Sequence, residues 1–370
     1  MKKTKLTIGI YVPKWLCRSD ESDQLFADEL VRTIEHSGRY RPLILNLPKL
    51  RLSSAEEARA FIEENNLIAV VQHDSEFFDR NRRYAANVRF LEATVPFFNS
   101  THCQELGHDK IAASKLLREK NIPVLDGAVV DSLQDLERHL MEDELYVVKP
   151  HNCGAGMGVR LVKKHMGEFS GYYDGEWRNV EIIEKTSRDG NKKLKIKFNF
   201  NPRYPLLFLK KGLMDFTYAP MLLEPYFNNH DEGFSSLRCT VIGNEVVEAV
   251  KRINHKNITS NISSGGRATK TELSSEQKEA AIAATQAIGA HYAGVDFLVR
   301  GNEWVIGEVN IGPFTVFTKY TGVNVGKLLG EYVMRKCNEY SRRNEYELSS
   351  LLALPARLTN AKPLPPRGVQ

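Results

Sequence analysis

Two carboxylates and a carboxamide, Asp296, Glu308 and Asn310, sit in two short apolar runs, 294–300 and 304–310, separated by Gly301, Asn302 and Glu303. Valine-rich runs around a Gly-Asn pair predict a β-hairpin, here with a three-residue loop. In that register Asp296 faces Glu308, and Asn310 lies two residues along the same face, because strand side chains alternate. Val295, Phe297, Val299, Val305 and Val309 then take the opposite face and give the ribbon something to bury. Two carboxylates and an amide oxygen suit Mg²⁺, a hard cation that takes few protein ligands and keeps positions for water and phosphate oxygens. An ordinary amphipathic hairpin with solvated acids has the same pattern, so other stretches must decide.

A second group with chemical potential lies upstream. Lys149 ends a predicted strand over 145–149 and runs into a glycine-rich stretch in which Gly154, Gly156 and Gly158 alternate. A cation beside backbone N–H groups that glycine leaves uncovered makes a cradle for phosphate oxygens. A tight turn with a solvated lysine has the same composition, and the Gly-Lys-Ser/Thr of a P-loop is absent.

The elements that must position these groups follow from periodicity. Strands over 6–12, 42–47, 67–72 and 95–99 alternate with helices over 24–36, 54–64 and 83–91, which predicts an open, mostly parallel α/β sheet. No Gly-x-Gly-x-x-Gly follows the first strand, which disfavours a dinucleotide fold. A helix over 109–120, a strand through Val130, a helix over 132–140 and the strand ending at Lys149 come next. Beyond the glycines, 180–186 and 192–200 flank a hairpin turn, with Leu194, Ile196, Phe198 and Phe200 opposite Lys193, Lys195 and Lys197. That hairpin is either merely solvated or a basic surface that meets an acidic substrate. A strand over 221–227 leaves the core. A hairpin over 237–242 and 245–252 turns at Gly243-Asn244 and places Arg238 and Arg252 near its outer ends. Residues 257–269 have the polar composition of a mobile loop, and Ser274 with Gln277 forms a capping box for a helix running to Gly289. After the acidic hairpin a helix ends near Tyr340 and the chain thins into a Pro-rich tail.

Bulk properties set outer limits. The chain has 370 residues, 42% hydrophobic and 26% charged, the composition of a globular protein with room for two or three domains. Its formal charge of +5 is small for a nucleic-acid binder, and residues 163–220, with 12 Lys/Arg against 7 Asp/Glu, carry the whole excess. The apolar run at the start is too short for a secretory signal, and no window approaches the roughly 18 apolar residues of a membrane span. Cys17, Cys103, Cys153, Cys239 and Cys337 are scattered, which suggests neither a zinc site nor a disulfide framework and fits a reducing cytoplasm.

Taken in order, Asp109-Lys110, Val148-Lys149-Pro150 with its glycines, Leu222-Leu223-Glu224-Pro225, Leu237-Arg238-Cys239, Lys251-Arg252, Ser260-Asn261 with Gly265-Gly266, Gly294-Val295-Asp296 and Glu308-Val309-Asn310 resemble the ATP-grasp superfamily. Within it the chain is most similar to the RimK-like and glutathione-synthetase-like carboxylate–amine ligases, over roughly residues 100–330. The resemblance implies an α/β ATP-grasp fold with nucleotide bound between two lobes. Its parts would be an N-terminal domain over 1–100, a small lobe over 101–222 with a basic insertion at about 163–220, a lobe over 223–340 with the metal site, and a tail over 341–370.

The resemblance further implies that Lys110 and Lys149 contact ATP phosphates under the loop Gly154, Gly156 and Gly158. Glu224, Pro225 and Tyr226 would hold adenine, and Asp231 the ribose. Asp296, Glu308 and Asn310 would hold two Mg²⁺ ions, with Mn²⁺ an alternative, while Arg238, Arg252 and Asn261 line the reacting centre. Departures are the long basic segment, Phe314 where the family pattern has glycine, and Pro225, which removes a backbone donor from the hinge. The implied activity is ATP-dependent ligation of a carboxylate to an amine, on amino acids or peptides, with no nucleic-acid or membrane partner and with homo-oligomerisation left open. Two other activities fit the same scaffold, a phosphotransferase that needs no amine and a nucleotide-binding protein without catalysis.

Overall fold

The computed structural model describes residues 5–13, 21–73, 82–151, 159–173, 176–186, 192–198, 220–228, 233–256, 258–262, 265–313 and 316–352. The glycines at 154, 156 and 158, Asp231 and the tail beyond 352 lie outside them.

The first sheet is parallel throughout. β1 (Leu6–Tyr11) lies between β2 (Tyr40–Ile44) and β3 (Leu67–Gln72), with β4 (Phe97–Phe98) outside β3. Helices α1 (Glu21–His36), α2 (Ala55–Asn65) and α3 (Arg82–Glu92) make the crossovers. β2 starts two residues before the expected 42 and stops at Ile44, because Leu47–Lys49 turns into a short 3₁₀ helix around Pro48. A helix not anticipated from the sequence follows, α4 (Thr101–His108), and only then α5 (Lys110–Glu119). Asp109 divides them: its carboxylate accepts the N–H groups of Ile111 and Ala112, both at 3.0 Å, which caps α5 and fixes Lys110 in its first turn.

The second sheet holds β5 (Ala128–Val130), β6 (Leu145–Pro150), β7 (Arg160–His165), β8 (Glu168–Tyr173), β9 (Glu176–Thr186), β10 (Lys192–Phe198) and β11 (Met221–Pro225), with α6 (Leu133–His139) on one face. Its order is β10-β9-β8-β7-β6-β11-β5, antiparallel at every pairing. The basic segment therefore extends this sheet by successive hairpins rather than standing apart from it. The side chains of Lys193, Lys195 and Lys197 lie outside the described residues.

The third sheet is β14 (Arg267–Lys270), β13 (Glu245–Asn254), β12 (Phe234–Ile242), β15 (Tyr292–Arg300) and β16 (Glu303–Asn310) in that spatial order, all antiparallel. β14 corrects the mobile loop expected over 257–269: its backbone pairs with β13 from Arg267 onward. Helix α7 (Ser275–Ala287) begins with the expected capping box and buries Ala281, Ala284 and Ile288 against this sheet. After α8 (Thr318–Thr321), α9 (Val325–Leu352) packs Leu329 and Val333 on α1 and the first sheet. No helix among the described residues is long and apolar enough to cross a membrane.

The acidic hairpin departs from its expected register in an informative way. Its loop is two residues, Gly301-Asn302, with Gly301 at φ +61°, as the first central position of a type II′ turn requires. Up to Phe297↔Ile306 the pairing follows that turn; a bulge at Gly307 then shifts it, so that Asp296 faces Glu308 after all. The bulge also changes which residues are buried. Ile306 and Trp304, not Val305, join Val295, Phe297, Val299 and Val309 on the apolar face.

Candidate functional site

Strand order brings the charged residues together. Arg238 on β12 pairs directly with Asp296 on β15, which pairs with Glu308 on β16, and Ser236 on β12 pairs with Arg252 on β13. A bulge at Val247 puts Arg252 opposite Ser236 and Glu248 opposite Thr240, so all of these even-numbered residues share one face. The expectation that Arg238 and Arg252 stand at outer ends of a hairpin is corrected: both lie inside a five-stranded sheet and are buried.

Asp296 is the hub of this face. Arg238 Nη1 donates to its Oδ2 at 2.7 Å and Arg252 Nη2 to its Oδ1 at 2.6 Å, while Asn310 Nδ2 donates to Oδ2 at 3.2 Å. Arg252 is held on three sides, since its Nε and Nη2 also reach Ser236 Oγ at 3.1 and 2.8 Å and its Nη1 reaches Asn261 Oδ1 at 3.2 Å. Burial lowers the Arg252 pKa, and Asp296 opposes that loss. Lys110 Nζ stands 2.6 Å from Glu308 Oε1. Burial alone would raise the Glu308 carboxyl, but Lys110, with Lys149 and Arg238 beyond, outweighs it and holds the group below the usual carboxylate range. Lys149 pairs with Glu224 across β6 and β11.

Facing sheets enclose a cleft of about 900 Å³, counting its open mouth. Its walls include Lys110, Lys149, Glu224, Pro225, Tyr226, Arg252, Asn261, Asp296 and Glu308 from the expected set. Apolar walls come from Leu125, Val147, Phe227 and Leu298. Arg238 and Asn310 lie beneath, each bonded to Asp296. At the hinge, Tyr226 N–H donates to Leu145 O at 2.8 Å and Pro225 has no N–H, so neither backbone nitrogen is directed to a ligand.

Several contributors escaped sequence reasoning. Ser236 is buried and braces Arg252 while hydrogen-bonded to Ser260 of the Ser260-Asn261 motif, and only the register of β12 on β13 reveals it. Glu248, buried in the next row, accepts from Thr240 Oγ1 at 2.9 Å and Thr321 Oγ1 at 2.7 Å, and burial raises its pKa. Gly294 had a legible signal, a glycine inside a strand, which marks a close approach. A Cβ there would lie 2.4–2.5 Å from the Arg238 guanidinium, which has no room to retreat at 4% exposure. Gly294→Ala is therefore expected to push Arg238 off Asp296 and to cost about 1–3 kcal/mol of stability as overpacking. A melting curve beside the parent checks it; an unaltered melting temperature would mean that the Arg238 guanidinium can retreat.

The donor set fits a hard divalent cation. Each carboxylate has about four lone-pair positions, so Asp296 can keep both guanidinium contacts and still accept a cation. Asn310, which donates its nitrogen to Asp296, has its carbonyl oxygen left as the ligating atom. Among the described residues no three His, Cys, Asp or Glu side chains cluster as a closed metal cage. Two carboxylates and an amide are what Mg²⁺ needs when phosphate oxygens and water fill the remaining positions.

Residues 209–333 match the RimK-like ATP-grasp domain. Tetrahydromethanopterin:alpha-L-glutamate ligase of Methanocaldococcus jannaschii is 27% identical over 250 residues, 67% of this chain and 73% of that protein. A probable alpha-L-glutamate ligase of Haemophilus influenzae is 35% identical over 105 residues, 28% of this chain and 35% of its own length. Among solved structures, the ATP-grasp ligase PsnB complexed with minimal precursor superposes with a TM-score of 0.56 at 15% identity, covering 90% of this chain and 99% of that one. D-alanine–D-alanine ligase from Bacillus anthracis complexed with ATP gives 0.51 at 13% identity, covering 92% and 99%. At such identities these structures speak for the fold.

Proposed function

We propose that this chain, which has the ATP-grasp fold and matches the RimK-like ATP-grasp domain over residues 209–333, is an ATP- and Mg²⁺-dependent ligase joining a carboxylate to an amine. The observation that carries this reading is the single row Arg238–Asp296–Glu308 at the floor of a cleft, with Arg252 beside it and Lys110 and Lys149 above.

A carboxylate resists amines because its leaving group is poor. In the proposed reaction its oxygen attacks the γ-phosphorus of ATP, the bond to the β–γ bridging oxygen breaks, and ADP departs. The amine nitrogen then attacks the acyl carbon of the acylphosphate. The tetrahedral intermediate collapses by expelling phosphate, and the amine gives up a proton. Lys110 and Lys149 neutralise phosphate oxygens, and the fixed guanidinium groups of Arg238 and Arg252 face charge that develops at the reacting carboxyl and phosphoryl groups. Asp296, Glu308 and Asn310 would hold two Mg²⁺ ions, which would supply neutralisation of phosphate charge during transfer. The apolar walls from Val147, Leu298 and Phe227 take adenine, with Glu224, Pro225 and Tyr226 at its edge. Gly154, Gly156, Gly158 and Asp231, for which the resemblance implies phosphate and ribose contacts, lie outside the described residues. Asn261 positions Arg252 through its 3.2 Å contact.

The relatives named for alpha-L-glutamate make L-glutamate the first amine to offer, against acids drawn from amino acids and short peptides. Phosphate and ADP should appear in equal amounts only when acid and amine are both present, with the product gaining the mass of the amine less water. ADP formed at full rate without any amine would replace the ligase with a phosphotransferase. No ADP with any pair would leave a nucleotide-binding protein.

A further inference from the structure

Asn99 follows β4 of the first sheet and is wholly buried, yet its side chain serves the third sheet. Its Nδ2 donates to Tyr292 O at 2.7 Å and to Ile311 O at 3.1 Å. Its Oδ1 accepts from His291 N at 2.6 Å and Tyr292 N at 3.2 Å. All four hydrogen-bonding positions of the amide are thus filled, and every one by backbone. The placement is specific: Tyr292 opens β15, and Ile311 is the residue after Asn310, where β15 and β16 cease to pair.

Asn99 stands at the open end of the acidic ribbon and links its two strands where the ladder stops. The far end of Ile311 is gripped as well, since a Cβ on Gly107 of α4 would lie 2.2 Å from Ile311 Cγ1. Tyr292 is anchored in turn to the first sheet, its hydroxyl donating to Gln72 O at 2.8 Å. Residue 311 is therefore held through backbone and side chain from outside its own sheet, one residue from Asn310.

We propose that Asn99 is a positioning residue that sets the spacing of Asn310 from Asp296 and Glu308, and hence the affinity of the ribbon for Mg²⁺ in the presence of nucleotide. This rests on reading the ribbon as a cation site. Groups that orient ligands from behind typically change metal affinity by about 10–100-fold. Asn99 acts in the same way, through the backbone at each end of the ribbon.

The test is calorimetric titration of Mg²⁺ into the full chain saturated with ADP. Asn99→Ala removes all four bonds; Asn99→Asp keeps both acceptors and loses the paired donors, and serves if the alanine variant does not fold. Either is expected to weaken Mg²⁺ by about 10–100-fold while ADP affinity without metal stays unaltered. Leu91→Ala, a cavity in the first sheet's core remote from the ribbon, lowers stability and should leave Mg²⁺ affinity unchanged. Wild-type Mg²⁺ affinity in a folded Asn99→Asp, or equal weakening by Leu91→Ala, overturns the proposal. If Glu308→Ala also binds Mg²⁺ normally, or the wild type gives no Mg²⁺-dependent heat, the cation-site reading itself fails and takes this inference with it.

Discussion

Glu308→Ala is expected to reduce ADP release by at least about 10²–10³-fold, the loss seen when one preorganised charge-stabilising group is removed, while the chain still folds. The two halves of that expectation have different causes. Activity falls because Glu308 faces Asp296 inside the cleft, while the ribbon's third carboxylate, Glu303, is exposed at the turn and paired with Arg300. Folding survives because a single charge is left, on Lys110, whose side chain keeps 12% exposure and borders the open cleft, so water entering the space of the removed carboxylate reaches it. The cost stays well under the about 3–5 kcal/mol of breaking a fully buried pair. Its sign with pH follows from the depressed carboxyl. The Glu308 contribution to stability is present at neutral pH, above the unfolded value, and is lost as pH falls through the lower folded value. Denaturation curves at neutral and acid pH, beside the ADP assay, check both halves. Near-normal ADP release from folded Glu308→Ala would remove Glu308 from the proposed metal site.

Asp296→Ala should behave differently, losing both activity and stability. Arg238 and Arg252 have only 5% and 7% of their side chains exposed, and both donate to the Asp296 carboxylate. Without it two guanidinium groups are left buried with like charge, which costs about 3–5 kcal/mol. Thermal or urea denaturation should show the loss directly, and Mg²⁺ with nucleotide should not restore it. Asp296→Asn, which keeps the volume and one acceptor, should recover part of the stability and none of the turnover. An Asp296→Ala variant as stable as the parent would mean that the guanidinium groups are held by other partners. The contrast with Glu308→Ala is informative because the residues face each other on one ribbon: the exposure and number of the partners left behind, not distance, separate a carboxylate that can be removed from one that also holds the fold.

The residues with chemistry in them were legible from type and spacing. The alternation around Gly301-Asn302 predicts a ribbon with Asp296, Glu308 and Asn310 on one face, Lys149 at a strand end is visible from the run before it, and the Ser274–Gln277 box marks a helix start. These are local signals, set by side-chain alternation, turn chemistry and capping within a few residues. What the tertiary structure alone decided is which strands lie side by side. Nothing near Arg238 says that β12 enters between β13 and β15, yet that order puts Arg238 against Asp296 and carries Arg252 to the same carboxylate. The bulges at Gly307 and Val247 were equally invisible, and each moves a whole strand's side chains from one face to the other. Asn99 is the extreme case, a single amide from the first sheet bonded to residues nearly two hundred and more than two hundred positions away. Pairing of that kind is chosen by burial of both sheet faces and by satisfaction of every buried backbone group, sums over the whole molecule that no short window of residues contains.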